Sequence, residues 1–147
     1  AYEMLRSLVG SEMCIRDRRV KLRHLEGWNA ARRAHAAQYA AQLRGVEAPG
    51  ERAECLHVYH LYVVRAGGRG ALAAHVQARG IGTAVHYPAA VHQQPAYQHL
   101  HTQPLPVTEA VCRDILTLPM FPELREDEIS AVCEAVAAFY AGEGEAR

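Results

Sequence analysis

His86 and Tyr87 stand directly before Pro88, at the end of a run that reads as extended, and His92 follows six residues after His86. Proline has no amide to give a sheet ladder, so a strand must stop there. An imidazole and a phenol would then sit at the C-terminal edge of a sheet, where ligands commonly bind. Both are neutral hydrogen-bonding groups suited to the oxygens of a phosphate or a sugar. The spacing fits such a contact and a plain polar loop equally. His92 either folds back toward the same opening or stabilises its own loop.

Other chemistries find less support. Nine histidines include the close pairs His57 and His60, His86 and His92, and His99 and His101, which raises a metal site. A helical zinc site takes ligands at i and i+4, and H-x-x-H on a strand sends its imidazoles to opposite faces, so the spacing favours core or surface histidines. Cys14, Cys55, Cys112 and Cys133 form no C-x-x-C pair and read as free, mostly buried thiols. Gly67-Gly68-Arg69-Gly70 precedes a helix without a nucleotide-binding fingerprint and reads as a turn. Lys21, the only lysine, lies among Arg18, Arg19 and Arg23 on what reads as a solvated helix face. A Schiff-base lysine should instead be desolvated. No catalytic residue and no metal ligand is assigned.

The elements that must position His86 and Tyr87 follow from periodicity. From Arg19 to Leu43, Leu22, Leu25, Trp28, Ala36, Tyr39 and Leu43 recur at helical steps, predicting one long amphipathic helix ended by Gly45, Pro49 and Gly50. His57 to Arg65 (HVYHLYVVR) is β-branched and aromatic and predicts a strand. Arg69 to Arg79 predicts a short helix capped at Gly80, and Ile81 to Tyr87 a second strand. Val107, Val111 and Ile115 repeat every four residues as a helix, and Pro119 and Pro122 bracket an extended crossing. Ile129, Val132, Cys133, Val136, Phe139 and Tyr140 predict a last helix, whose positive N-terminal dipole suits Glu126, Asp127 and Glu128. The tail from Gly142 should fray. Two or three strands covered by helices make a small α/β (α+β) layer.

A chain of 147 residues, half hydrophobic and 22% charged, buries one core and leaves little room for a second domain. Sixteen basic and sixteen acidic residues cancel, which gives no overall field to draw in nucleic acid. Residues 1–50 are basic, with nine Lys+Arg against five Asp+Glu, and the rest is acidic. No stretch reaches the roughly 18 apolar residues of a membrane helix, and no signal pattern opens the chain, so it reads as soluble and cytoplasmic.

Four ordered segments carry a resemblance. VKLRHLEGWNAARRAHAAQYAAQL (20–43), HVYHLYVVR, ARGIGTAVHYPAAVHQQPAY and LPVTEAVCRDILTLPMFPEL together resemble the C-terminal part of DegT/StrS-type nucleotide-sugar aminotransferases. The resemblance implies the small C-terminal domain of the aspartate-aminotransferase type (fold type I) at 46–141, led in by a linking helix at 19–45 and followed by a tail at 142–147. It implies pyridoxal phosphate as cofactor, an amino donor such as glutamate, a nucleotide-linked keto sugar as acceptor, and a homodimer. His86 and Tyr87 would contact the nucleotide-sugar or its pyrophosphate, and His92, at the histidine of the HYP-x-x-x-H pattern, would support that pocket. The family's catalytic lysine lies in the large N-terminal domain, so a chain of this extent should be inactive alone.

Two departures stand out. Residues 7–18 (SLVGSEMCIRDR) resemble translated sequencing-adapter DNA and have no counterpart in the family, so residues 1–18 are read as artefact or disordered. Arg125 stands where the family tends to place a Ser or Thr N-cap, a change that costs roughly 0.5–2 kcal/mol of capping. The rival readings are a stand-alone module that binds a nucleotide-sugar or a partner without catalysis, and a histidine-rich metal-binding protein.

Overall fold

In the computed structural model, which describes residues 12–100 and 103–145, two four-residue strands meet edge to edge at the centre of the chain. β1 (Tyr62–Arg65) runs antiparallel to β2 (Ile115–Leu118), with Tyr62 opposite Leu118, Val63 opposite Thr117, Val64 opposite Leu116 and Arg65 opposite Ile115. Single bridges extend this layer at both edges, from Glu47 to Arg65 and from Ala84 to Thr117. The helices in chain order are α1 (Glu12–Leu22), α2 (Leu25–Gln42), α3 (Arg69–Gln77), α4 (Pro106–Asp114) and α5 (Glu126–Glu145).

Successive strand residues face opposite ways. Tyr62 and Val64 of β1 and Leu116 and Leu118 of β2 enter one core with Tyr39 of α2, Leu72 and Val76 of α3, and Ile129, Val132 and Val136 of α5. Ile115 and Thr117 are buried as well but lie outside that cluster, on the other face of β2. α5 is the hub, because α2 and α3 both pack against it. It begins without a Ser or Thr cap, yet the Glu128 carboxylate accepts the Arg125 backbone N–H at 2.9 Å. That is one half of a capping box, and it satisfies a donor that the helix leaves open.

Four expectations are corrected. The helix expected over 19–43 breaks at Arg23 and His24, whose amides bond three residues back, to Val20 and Lys21, in a tightened turn. Helices in proteins persist where an apolar face packs. Leu22 is 62% exposed, so nothing holds the two halves in one axis, whereas Ala36, Tyr39 and Leu43 are buried. Residues 12–18 lie in α1, while residues 1–11, the side chain of Cys14 and His101 fall outside the described part.

The strand expected over 57–65 shortens to Tyr62–Arg65, because Tyr59 adopts φ 46° and the His57 Nδ1 accepts the Tyr59 backbone N–H at 2.8 Å. A left-handed residue cannot continue a strand. The strand expected over 81–87 reduces to the bridge at Ala84. The edge it would have lined belongs to β2, which follows α4 with no loop: Ile115, read as the last helical position, has ψ 137° and opens the strand. Among the thiols, Cys55 is exposed, Cys112 half-buried and Cys133 buried, and all three are free. Burial pushes the Cys133 thiol up to about 11.

The bend before β1 is held by one carboxylate. Glu51 accepts hydrogen bonds from Arg33 at 2.7 Å, the His57 backbone N–H at 2.7 Å and the Tyr59 hydroxyl at 3.1 Å. The Arg33 guanidinium first, then the His57 amide, lowers its pKa from 4.5 to about 2. A depressed carboxylate contributes stability that is fully present above its unfolded value and lost as pH falls through the folded one. Thermal unfolding followed between pH 5 and pH 2 is therefore expected to fall more steeply for the wild type than for Glu51→Gln, which carries no titrating group there. Equal slopes would remove Glu51 from the acid limb.

Candidate functional site

The 81–87 segment is fixed to the free edge of β2 by two backbone bonds. Ala84 N–H donates to the Thr117 carbonyl at 3.2 Å and Thr117 N–H to the Ala84 carbonyl at 2.8 Å. Two residues further on, the His86 side chain comes back to the same β2 residue, with Nδ1 2.9 Å from the Thr117 hydroxyl oxygen. The Tyr87 ring stands edge-on to the His86 ring, their centroids 5.6 Å apart, across a cis His86–Tyr87 peptide. His86 is half-buried and Tyr87 is 71% exposed, so an anchored imidazole stands beside a phenol open to solvent.

His92 has a different anchor. It sits on a single 3₁₀ turn (Val91–Gln93), and its Nε2 lies 3.1 Å from a Glu109 carboxylate oxygen on α4. The same carboxylate accepts the Leu105 backbone N–H at 3.0 Å, capping α4. That amide first, and then His92, holds the Glu109 carboxyl below the usual range. Glu109 thus ties the 91–93 turn to the start of α4. A cavity of about 390 Å³ opens beside it, lined by Val91, His92, Tyr97, Leu100, Leu105 and Thr108. Its apolar walls with a few polar groups have the character of a small-molecule pocket.

The structure therefore joins His86 to Tyr87 directly, and seats His92 in the wall of a cavity that neither of them lines. Two polar residues that support them escaped the reading of the sequence. Thr117 is the one polar residue of the buried run Ile115–Leu118, a signal visible in ILTL once that run is a strand. Glu109 sits four residues after Leu105, within reach of the amides that a helix start leaves open. Among the described residues no group of three His, Cys, Asp or Glu side chains could hold a metal ion, and no helix is long and apolar enough to cross a membrane.

Lys21 is exposed on α1, beside a shallow cavity that it lines with Arg18, Leu22, Leu25 and Trp28. A lysine that carries an aldehyde cofactor must shed its proton, which burial promotes. Lys21 lacks that burial. The residues of this chain therefore do not fit a pyridoxal phosphate held through lysine, and no chemical step is assigned to them.

The family model described as the DegT/DnrJ/EryC1/StrS aminotransferase family matches residues 17–137. A pleiotropic regulatory protein of Geobacillus stearothermophilus is 40% identical over 128 residues, covering 82% of this chain and 34% of that protein. The dTDP-3-amino-3,4,6-trideoxy-alpha-D-glucose transaminase of Streptomyces venezuelae is 39% identical over 123 residues, covering 80% of this chain and 32% of the enzyme. A crystal structure of S. venezuelae DesV in complex with a ketimine intermediate superposes with a TM-score of 0.76 at 36% identity, over 82% of this chain and 34% of the other. The chain thus spans about a third of the length of the curated relatives it matches.

Proposed function

Because the chain belongs to the DegT/DnrJ/EryC1/StrS aminotransferase family, we propose that it forms the small C-terminal domain of a pyridoxal-phosphate-dependent enzyme that aminates a keto group of a nucleotide-linked sugar. The observation that carries this reading is the match over residues 17–137 together with a relative named as a dTDP-sugar transaminase. The amino donor is a small amino acid such as glutamate. Pyridoxal phosphate supplies the amino-group carrier when bound, and its lysine belongs to the part of such enzymes outside these 147 residues. A second subunit completes the working enzyme as a homodimer in the cytoplasm.

The work of this chain's own residues is recognition. His86, held against Thr117, and the open Tyr87 offer neutral hydrogen bonds to the pyrophosphate or sugar hydroxyls of the substrate. His92, braced by Glu109, shapes the wall of a separate cavity. The anchoring of His86 supports this role, because a binding group whose rotamer is already restrained loses less entropy when substrate arrives.

The test starts from the source DNA upstream of the Arg19 codon. The reading frame is expected to continue through a lysine-bearing large domain, and the protein so encoded to transfer an amino group from glutamate to a dTDP-linked keto sugar. In that enzyme His86→Ala is expected to raise KM for the nucleotide-sugar. A hydrogen bond to a charged oxygen contributes about 1.5–3 kcal/mol, which corresponds to about 10–100-fold. A start codon directly before residue 1 in a chain that binds nucleotide-sugar by itself would overturn the enzyme reading in favour of a stand-alone binding module.

A further inference from the structure

We propose that Thr117 is a positioning residue that holds His86 as the neutral tautomer with its proton on Nε2. Thr117 is buried, at 6% exposure. Its neighbours Leu116 and Leu118 face the main core, so its hydroxyl lies on the opposite face, toward the 81–87 segment. There the single hydrogen-bond partner of that hydroxyl among the described residues is the His86 Nδ1, at 2.9 Å.

Counting protons assigns the tautomer. A hydroxyl has one hydrogen to donate, and a neutral imidazole has one nitrogen that donates and one that accepts. With the imidazole proton on Nδ1, the ring would donate to the Thr117 oxygen and the hydroxyl hydrogen would be buried with no acceptor. Buried polar hydrogens are rarely left so. With the proton on Nε2, the hydroxyl donates to Nδ1 and both groups are satisfied. The β-branch of threonine restricts χ1, which keeps the hydroxyl aimed at the ring. The backbone bridge between Ala84 and Thr117 fixes the segment from which the ring hangs.

The outcome is an imidazole whose remaining polar atom is a donor. Its use toward a phosphate or sugar oxygen rests on the function proposed above, whereas the tautomer itself does not. Long-range ¹H–¹⁵N correlation spectra of the 147-residue chain at a pH where His86 is neutral read the tautomer without substrate. The expected wild-type pattern is a protonated Nε2 and an unprotonated Nδ1. Thr117→Val, close to isosteric, is expected to shift His86 to a mixture of tautomers, and Thr117→Ser to restore the wild-type pattern. A protonated Nδ1 in the wild type overturns the proposal even if the valine variant does not fold, and so does an unchanged pattern in a folded Thr117→Val. Either failure leaves the proposed enzyme function standing, and failure of that function leaves the tautomer standing.

Discussion

Replacing Tyr39 by alanine is expected to cost about 3–5 kcal/mol of folding stability, the range for removing a fully buried aromatic side chain. Domains of this size are stable by only about 5–15 kcal/mol in total, so the variant should be partly unfolded at moderate urea. Tyr39 has no exposed surface, stacks on Tyr62 with centroids 4.8 Å apart, and donates its hydroxyl to the Pro119 carbonyl at 3.0 Å. It therefore joins α2 to β1 through its ring and to the end of β2 through its oxygen. Burial raises its pKa, so the phenol stays protonated and remains a donor throughout the working range. Tyr39→Phe separates the two contributions. It keeps the ring and removes the hydroxyl, leaving the Pro119 carbonyl without that donor, for a loss of about 1–3 kcal/mol. Urea midpoints of the three proteins measure both terms, and a Tyr39→Phe loss equal to that of Tyr39→Ala would assign the whole effect to the hydroxyl.

The reach of that bond explains which parts of the molecule were legible in the sequence. α5 was readable because Ile129, Val132, Cys133 and Val136 repeat on one stripe that packs along its length. α3 was readable for the same reason over a shorter span, with Gly80 past its end at φ 78°, where a left-handed cap belongs. The failures share a cause of the opposite kind. His57 to Leu61 has strand-like residues, but a side-chain acceptor at His57 and the Glu51 carboxylate compete for the backbone amides that a ladder would use. Ile115 continues the four-residue spacing of Val107 and Val111, and only the need to bury Ile115–Leu118 beside β1 turns the chain to extended there. Tertiary contact decided both cases, and no local pattern records it. At the site the same division holds. His86, Tyr87 and His92 stand out by residue type, whereas Thr117 and Glu109 become visible only once β2 and the start of α4 are set beside them.

Gly45→Ala is expected to cost about 2–5 kcal/mol, and the reason is steric twice over. Gly45 has φ +82°, a left-handed conformation that costs an L-residue roughly 1–2 kcal/mol. A Cβ built there would also collide with the Tyr140 ring, 2.7 Å from its Cγ, and forcing atoms into a packed site typically costs about 1–3 kcal/mol. The ring has little freedom to yield, because its near end is the point of collision and its hydroxyl donates to the Gly67 carbonyl at 2.9 Å, tying α5 to the turn before α3. Gly80 provides the internal control. It has a similar φ of +78° but open space where a Cβ would go, so Gly80→Ala carries the backbone penalty alone, about 1–2 kcal/mol. The excess of Gly45→Ala over Gly80→Ala in urea unfolding then measures the collision with Tyr140. In a Tyr140→Ala background that excess should disappear, since the atoms being struck are gone, even though the background itself is less stable. Equal losses at the two glycines in the wild-type background would show that Tyr140 moves aside at little cost, and that its bond to Gly67 does not hold the ring in place.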